Sequence, residues 1–433
     1  MKKLVIAVPV VLAACAVRAA GFGIYEASAR GNAVGDALVG ETDTVDASAN
    51  YYNPANIAFA EKVQFAAGAT FINPYCDVDV DHKSQDRMNP GWFTVPTFFM
   101  TVPVGAGFTL GWGNYTEYGL GTRYGTGWDL AGDTQKTTMR QVTLNPNLAY
   151  KITDRWSVST GPRISWIQFT NHKQPFHGDS FYFDHPLYGT LSVPNAYNLR
   201  TKLKGDDWGL GYNVATSFKV TDTVSVGLIY RSQMRHKIKG HFDLKGDVTT
   251  PLGAMPQTVH GPASAVLTLP RSVVLGINWR ATEKWRLGVA ATWTEWSSVK
   301  NIHFRLPETY SYTQRLKWHN TGRFGFGTEY DLYDWLTVRG GYVYDMDPTD
   351  KHNSTTMLPA GDRHIMSTGL GFKLAENLWL DVGYTFIRMT NDDRIIKLTH
   401  KADTESGEEK VPHRFSTHNG FSHIVSATLR YSF

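Results

Sequence analysis

The last thirteen residues of the chain, Phe421 to Phe433, alternate by parity and end on an aromatic. Phe421, Val425, Ala427, Leu429, Tyr431 and Phe433 share one face of an extended strand; Ser422, Ser426, Thr428, Arg430 and Ser432 share the other. Successive side chains of a strand point to opposite faces, so this segment separates an apolar medium from a wet one. A transmembrane barrel wall requires that pattern throughout, whereas a soluble sandwich shows it in single edge strands. The rest of the chain decides between them.

At the other end, Lys2 and Lys3 precede an apolar run from Leu4 to Ala16, and Val17-Arg18-Ala19 places small residues where a signal peptidase reads. Residues 1–19 therefore read as a signal peptide, with cleavage before Ala20, and the protein as exported. Leu12-Ala13-Ala14-Cys15 also matches a lipoprotein processing site, which would leave a lipidated Cys15 and change the anchor rather than the fold. The run is too short to span a bilayer, and no later stretch approaches about eighteen uninterrupted apolar residues, which excludes transmembrane helices as the architecture. Only a closed barrel could then cross a membrane.

Composition agrees. Aromatics make up 13% of the chain and Gly is abundant, yet mean hydropathy is negative, as expected when lipid and water faces alternate. Removing Lys2, Lys3 and Arg18 brings basic and acidic residues close to balance, so no nucleic-acid footprint follows. Without the leader Cys76 is the single cysteine, which rules out an intramolecular disulfide and disfavours a thiolate metal site.

Period-two alternation predicts fourteen antiparallel strands between Glu61 and Phe433, an all-β transmembrane barrel at residues 61–433. Short connections at Pro103 to Ala106, Thr153-Asp154, Thr221-Asp222, Ala281 to Glu283, Tyr333-Asp334 and Ala375-Glu376 alternate with long ones. A barrel with both termini in the periplasm has short turns on that side and long loops outside; a soluble β-protein has no reason to keep that order. Asn171 to Leu203, Asp243 to Pro262 and Asn391 to Pro412, rich in His, Pro, Gly and charge, read as outer loops. Residues 20–60 do not read as a strand: small and polar, with Asn50-Tyr51-Tyr52-Asn53-Pro54-Ala55-Asn56, they have little core-forming power. They are either a plug packed in the lumen or a disordered periplasmic tail.

Several blocks recur in an order that resembles the FadL-type outer-membrane transporters of long-chain fatty acids and other hydrophobic compounds. They are Ala20-Gly21-Phe22, Asn53-Pro54-Ala55, Tyr118-Gly119-Leu120, Asp207-Trp208-Gly209, Tyr230-Arg231-Ser232 and Leu269-Pro270. Trp293-Thr294-Glu295-Trp296-Ser297, Asp331-Leu332-Tyr333-Asp334 and Asp362-Arg363 continue the series. The resemblance implies a fourteen-stranded barrel with an N-terminal hatch at 20–60, anchored around Asn53, Pro54 and Ala55. It also implies lateral release of ligand through a kinked third strand, here rich in glycine, with Gly113, Gly119 and Gly121 as the exit. Gly weakens pairing and permits bulges, which makes a kink there easy.

An apolar tail contributes about 0.8 kcal/mol per buried methylene, so few polar contacts are needed. For a head group, Arg323, His319 and Lys317 near the tenth strand are the candidates. His319 stands where relatives carry a Lys, which departs from the family pattern. Partners expected are hydrophobic small molecules, outer-membrane lipid and, through Phe433, the barrel-assembly machinery. No metal, cofactor or catalytic residue is expected: no His-Glu-x-x-His or Gly-x-Ser-x-Gly motif occurs, and His172, His177 and His185 are irregularly spaced. A channel for aromatic or alkane hydrocarbons, a diffusion porin and a surface adhesin are the alternatives.

Overall fold

Alternating faces predict extended walls, and the computed structural model, which describes residues 21–307, 311–401 and 408–433, has them. Fourteen antiparallel strands close into one barrel. They begin with β1 (Gln64–Val80), β2 (Phe93–Gly105), β3 in two segments (Phe108–Tyr115 and Leu120–Arg123), β4 (Lys136–Thr153) and β5 (Trp156–Lys173). Next come β6 (Tyr197–Lys219), β7 (Val224–Arg231 and Met234–Thr250), β8 (Gly253–Leu269 and Ser272–Arg280), β9 (Trp285–Thr294) and β10 (Thr321–Tyr333). The ring ends with β11 (Leu336–Asp345), β12 (Arg363–Ala375), β13 (Leu378–Met389 and Asp392–Lys401) and β14 (Glu408–Ser432). Pairing of β1 with β14, from Gln64↔Ser432 to Tyr75↔Phe421, closes it. The proposed signal peptide and Cys15 lie outside the described residues.

The two faces differ as a barrel in lipid requires. In β6, Leu210, Tyr212, Val214 and Phe218 are exposed, while Asn213, Ala215 and Ser217 are buried. In β14, Val425 and Leu429 face outward and Ser422, Ser426 and Thr428 inward. Tyr150, Trp156, Phe218, Trp279, Trp285 and Trp335 are exposed beside the short turns, an interfacial aromatic belt.

The outer segments depart from the expectation of loops. Asp243 to Pro262 is a hairpin that carries β7 and β8 outward in unbroken register to Thr250↔Gly253. Asn391 to Pro412 likewise extends β13 and β14. Asn171 to Leu203 contains a hairpin of Phe181–His185 with Gly189–Val193 and the start of β6. Beyond the membrane both faces of a strand are wet, so the period-two signal fades although the hydrogen-bond ladder continues.

Residues 21–60 hold α1 (Ala29–Ala33), α2 (Ala49–Tyr52) and a 3-10 helix (Pro54–Phe59), nearly all buried. α1 packs on β11 to β14, and the 3-10 helix on β3 to β6. The segment thus touches opposite arcs of the closed barrel. The Asn53 side chain caps the 3-10 helix by accepting from Ala55 N at 3.0 Å, and donates to Val39 O at 2.8 Å and Thr216 O of β6 at 3.1 Å. Pro54 starts that helix where its missing N–H costs nothing. Close approach explains much of the glycine: a Cβ on Gly276 of β8 would sit 2.5 Å from the Val39 Cβ.

Buried charges fix the segment to the wall. Arg30 of α1 reaches Asp46 at 2.9 Å and Glu329 of β10 at 2.7 Å. Glu329 takes Arg339 of β11 at 2.7 Å, and Arg339 reaches Asp381 of β13 at 2.8 Å. Asp381 takes Arg430 of β14 at 2.5 Å, and Arg430 returns to Asp46 at 3.6 Å, closing the circuit.

This topology puts the long hairpins outside. Proteinase K on intact cells is expected to cut at Leu187, Tyr188 and Leu252, which are 82%, 73% and 99% exposed, and to spare Thr221-Asp222 and Ala375-Glu376. Cleavage at either short turn in sealed cells would reverse the orientation.

Candidate functional site

One strand of the wall does not run through. β3 pairs with β2 only as far as Phe98↔Asn114, and its outer segment, Leu120–Arg123, pairs with β4 alone. Phe93 to Thr97 of β2 therefore keep their β1 partners and have none on β3.

Side chains of the neighbouring strands, more than glycine, hold the break open. Gln141 of β4 takes the Glu117 N–H on its Oε1 at 2.9 Å, and its carbonyl takes the Thr116 hydroxyl at 2.8 Å. The same Oε1 takes the Tyr118 N–H at 3.4 Å, so two backbone donors are diverted from the ladder. The Glu117 carboxylate turns inward to meet Arg163 of β5 at 2.5 Å, Thr143 at 3.0 Å and Arg231 of β7 at 3.6 Å. Of the three glycines expected at an exit, Gly119 sits in the break, Gly113 in the paired stretch before it and Gly121 in the segment beyond. A Cβ on Gly119 would collide with Ile24, and one on Gly121 with the Phe93 ring.

The chain's own start fills the gap from inside. Ile24 N donates to Glu117 O at 2.8 Å, Gly119 N donates to Phe22 O at 2.9 Å, and Gly23 bridges Tyr118. The Phe22 ring then enters an aromatic cage, its centroid 5.8 Å from Tyr118, 5.1 Å from Trp296 and 5.4 Å from Trp318. Ile167, Met234, Ile238 and Leu269 continue this apolar cluster along the inner wall.

Beside the cage lies a cavity of about 50 Å³, lined among others by Tyr25, Asp36, Tyr51, Glu117, Arg231 and Arg323. Arg323 is buried, 2.6 Å from Asp36 and 4.0 Å from Asp345, with its guanidinium 4.3 Å from the Tyr25 ring centroid. Burial pushes the Asp36 carboxyl up to about 7, the adjacent guanidinium offsetting only part of that. Lys317 is exposed, and His319 is half-buried, its backbone N–H on Pro348 O at 3.0 Å. Neither lines the cavity with Arg323. Glu117, Gln141, Arg163 and Arg231 were not singled out from sequence for this site. A charge on the inward face of a membrane-depth strand, as at Arg163, was the available signal.

Residues 10–433 match the family described as outer membrane protein transport protein (OMPP1/FadL/TodX). Outer membrane protein P1 of Haemophilus influenzae is 25% identical over 418 residues, covering 88% of this chain and 89% of its own length. A long-chain fatty acid transport protein of Escherichia coli (strain CFT073) is 26% identical over 411 residues, covering 89% and 90%. The crystal structure of a Pseudomonas aeruginosa FadL homologue shares the fold with a TM-score of 0.80 at 22% identity, covering 96% of this chain and 100% of that one. The toluene transporter TodX of P. putida gives 0.69 at 17% identity, covering 93% and 98%.

Glu117→Gln would leave Arg163, which is 1% exposed, without its counter-charge. The expected loss is about 3 kcal/mol of barrel stability, read by urea unfolding with heat-modifiable gel mobility. An unchanged midpoint would mean that the carboxylate does not hold the break.

Proposed function

Because the chain belongs to the OMPP1/FadL/TodX family of outer-membrane transport proteins, we propose that it takes up long-chain fatty acids or similar hydrophobic compounds. Ligand is captured among the outer hairpins, enters the apolar cluster by displacing Phe22, and leaves sideways into the membrane between β2 and β3. The observation that carries this reading is the Phe22 ring in its cage directly behind an interrupted ladder. A pocket stoppered by the protein's own apolar side chain suits an apolar ligand, whose burial returns what the displaced ring loses. The relatives named as fatty acid transport proteins support the same substrate class.

Residues 21–60 serve as the hatch, with Asn53, Pro54 and Ala55 as its fixed hinge on β6. Gly119 lies at the exit, and Gly113 and Gly121 flank it. Arg323 is the inner candidate for a ligand carboxylate, which would replace Asp36 on its guanidinium; His319 and Lys317 mark the approach. Transport here needs no catalytic step. Phe433, exposed at the end of β14, is the handle for the assembly machinery, and the outward apolar rows meet outer-membrane lipid. An aromatic hydrocarbon is the second reading, favoured because the group now held in the cage is itself a phenyl ring.

The paired residues Gly23 and Tyr118 give the test. With both changed to Cys in the full chain, oxidation ties the segment to β3. Growth on a long-chain fatty acid, in a host lacking its own transporter, is expected to stop when oxidised and recover on reduction. Equal uptake with the disulfide formed would refute displacement of the N-terminus.

A further inference from the structure

In the outer segment of β7 the inward row runs Met234, His236, Ile238, and all three are buried. Met234 and Ile238 belong to the apolar cluster that holds Phe22. His236 is fully buried, and neither ring nitrogen has a hydrogen-bond partner among the described residues. Folded proteins leave few buried polar atoms unpaired, and two on one imidazole in an apolar setting call for a partner from elsewhere.

The wall is shaped around this ring. Pairing between β6 and β7 runs to Asn213↔Arg231 from the periplasmic side and resumes only at Asp206↔Lys239. Within that gap lies Gly209, where a Cβ would stand 2.6 Å from the His236 ring carbon Cε1. Any larger residue would push the imidazole out of its place. Asp207 brings a carboxylate to 3.7 Å from Nδ1, and is itself held by the Lys237 N–H at 2.7 Å. The sequence block Asp207-Trp208-Gly209 thus supplies both the carboxylate and the space. At 3.7 Å the pair is close enough for Asp207 to favour a proton on Nδ1, yet too long for a hydrogen bond that would lock the ring. Nε2, which a Cβ on Gly209 would meet at 2.7 Å, is then left with an unpartnered lone pair over the glycine in that same gap.

We infer that His236 receives the polar end of the transported compound, a terminal carboxyl or hydroxyl, while the tail lies in the cluster around Phe22. A neutral ring accepts an O–H at Nε2; a ring that has gained a second proton donates to a carboxylate. Asp207 acts through the ring as a positioning residue. The inference rests on the uptake reading and adds its specificity element: the site prefers a tail with one oxygen function over a bare hydrocarbon of equal length.

The test compares retention of radiolabelled hexadecanoic acid, hexadecan-1-ol and hexadecane by the full-length protein in nanodiscs. His236→Leu is expected to weaken retention of the acid, the alcohol or both by about tenfold, while hexadecane is unchanged. His236→Gln, which keeps a donor and an acceptor, is expected to retain most of the preference. Loss of the acid alone identifies a carboxylate as the recognised form, and loss of both identifies an O–H. Equal changes for all three compounds, or no change for acid and alcohol, would overturn the inference. Wild-type protein that retains none of the three would instead overturn the uptake reading, and this inference with it. Heat-modifiable mobility controls for folding, and His236→Met replaces the Leu variant if that one fails to fold.

Discussion

Arg30 is 3% exposed and meets carboxylates of both its own segment and the wall, so the position of the whole N-terminal segment depends on it. Taking a guanidinium out of water costs several kcal/mol unless opposite charges and hydrogen bonds surround it. Here the signs alternate around a circuit of Arg30, Glu329, Arg339, Asp381, Arg430 and Asp46, and each group has at least two partners. Burial alone would push the Asp46 carboxyl up; Arg430 and Arg30 more than offset that and hold it below the usual carboxylate range. No single member can leave without stranding a charge. That makes this end of the segment a fixture of the barrel.

The opposite end is held by weaker means. Residues 22–24 are joined to β3 by two backbone hydrogen bonds and a ring contact, with no ion pair between them. On the proposed uptake reading the caged end is the one that yields, because a hydrophobic ligand can replace what its ring contributes. The break in β3 lies at the caged end. On that reading, capture and exit would share one element, and the fixed end would keep the rest of the lumen filled while they operate.

Much of the fold is legible in the sequence, because a barrel in lipid enforces parity wherever it touches the membrane. The terminal run ending at Phe433, the short turns and the buried Asn53-Pro54-Ala55 cap all carry local signals. The outer hairpins at Asp243 to Pro262 and Asn391 to Pro412 lack them, since both faces are wet there. The candidate site is less legible for another reason: its parts act across strands. Glu117, Gln141 and Arg163 are single polar residues on three strands, and only the register that juxtaposes them turns them into a device that parts a ladder. The glycines of β3 draw attention locally, yet the diversion of backbone donors to Gln141 is what the structure adds. His236 is likewise unremarkable until β6 and β7 are laid side by side, and only then does the glycine of the Asp207-Trp208-Gly209 block show what it makes room for.

Single-channel conductance bears most directly on whether the N-terminal segment closes the lumen. The full chain in a planar bilayer is expected to conduct little, and the same barrel without residues 24–60 to open a stable pore. A fourteen-stranded wall encloses more space than its inward side chains fill, so an empty lumen must carry ions. Equal low conductance from both proteins, with each shown to be folded by gel mobility, would contradict the ionic circuit's role in holding a hatch.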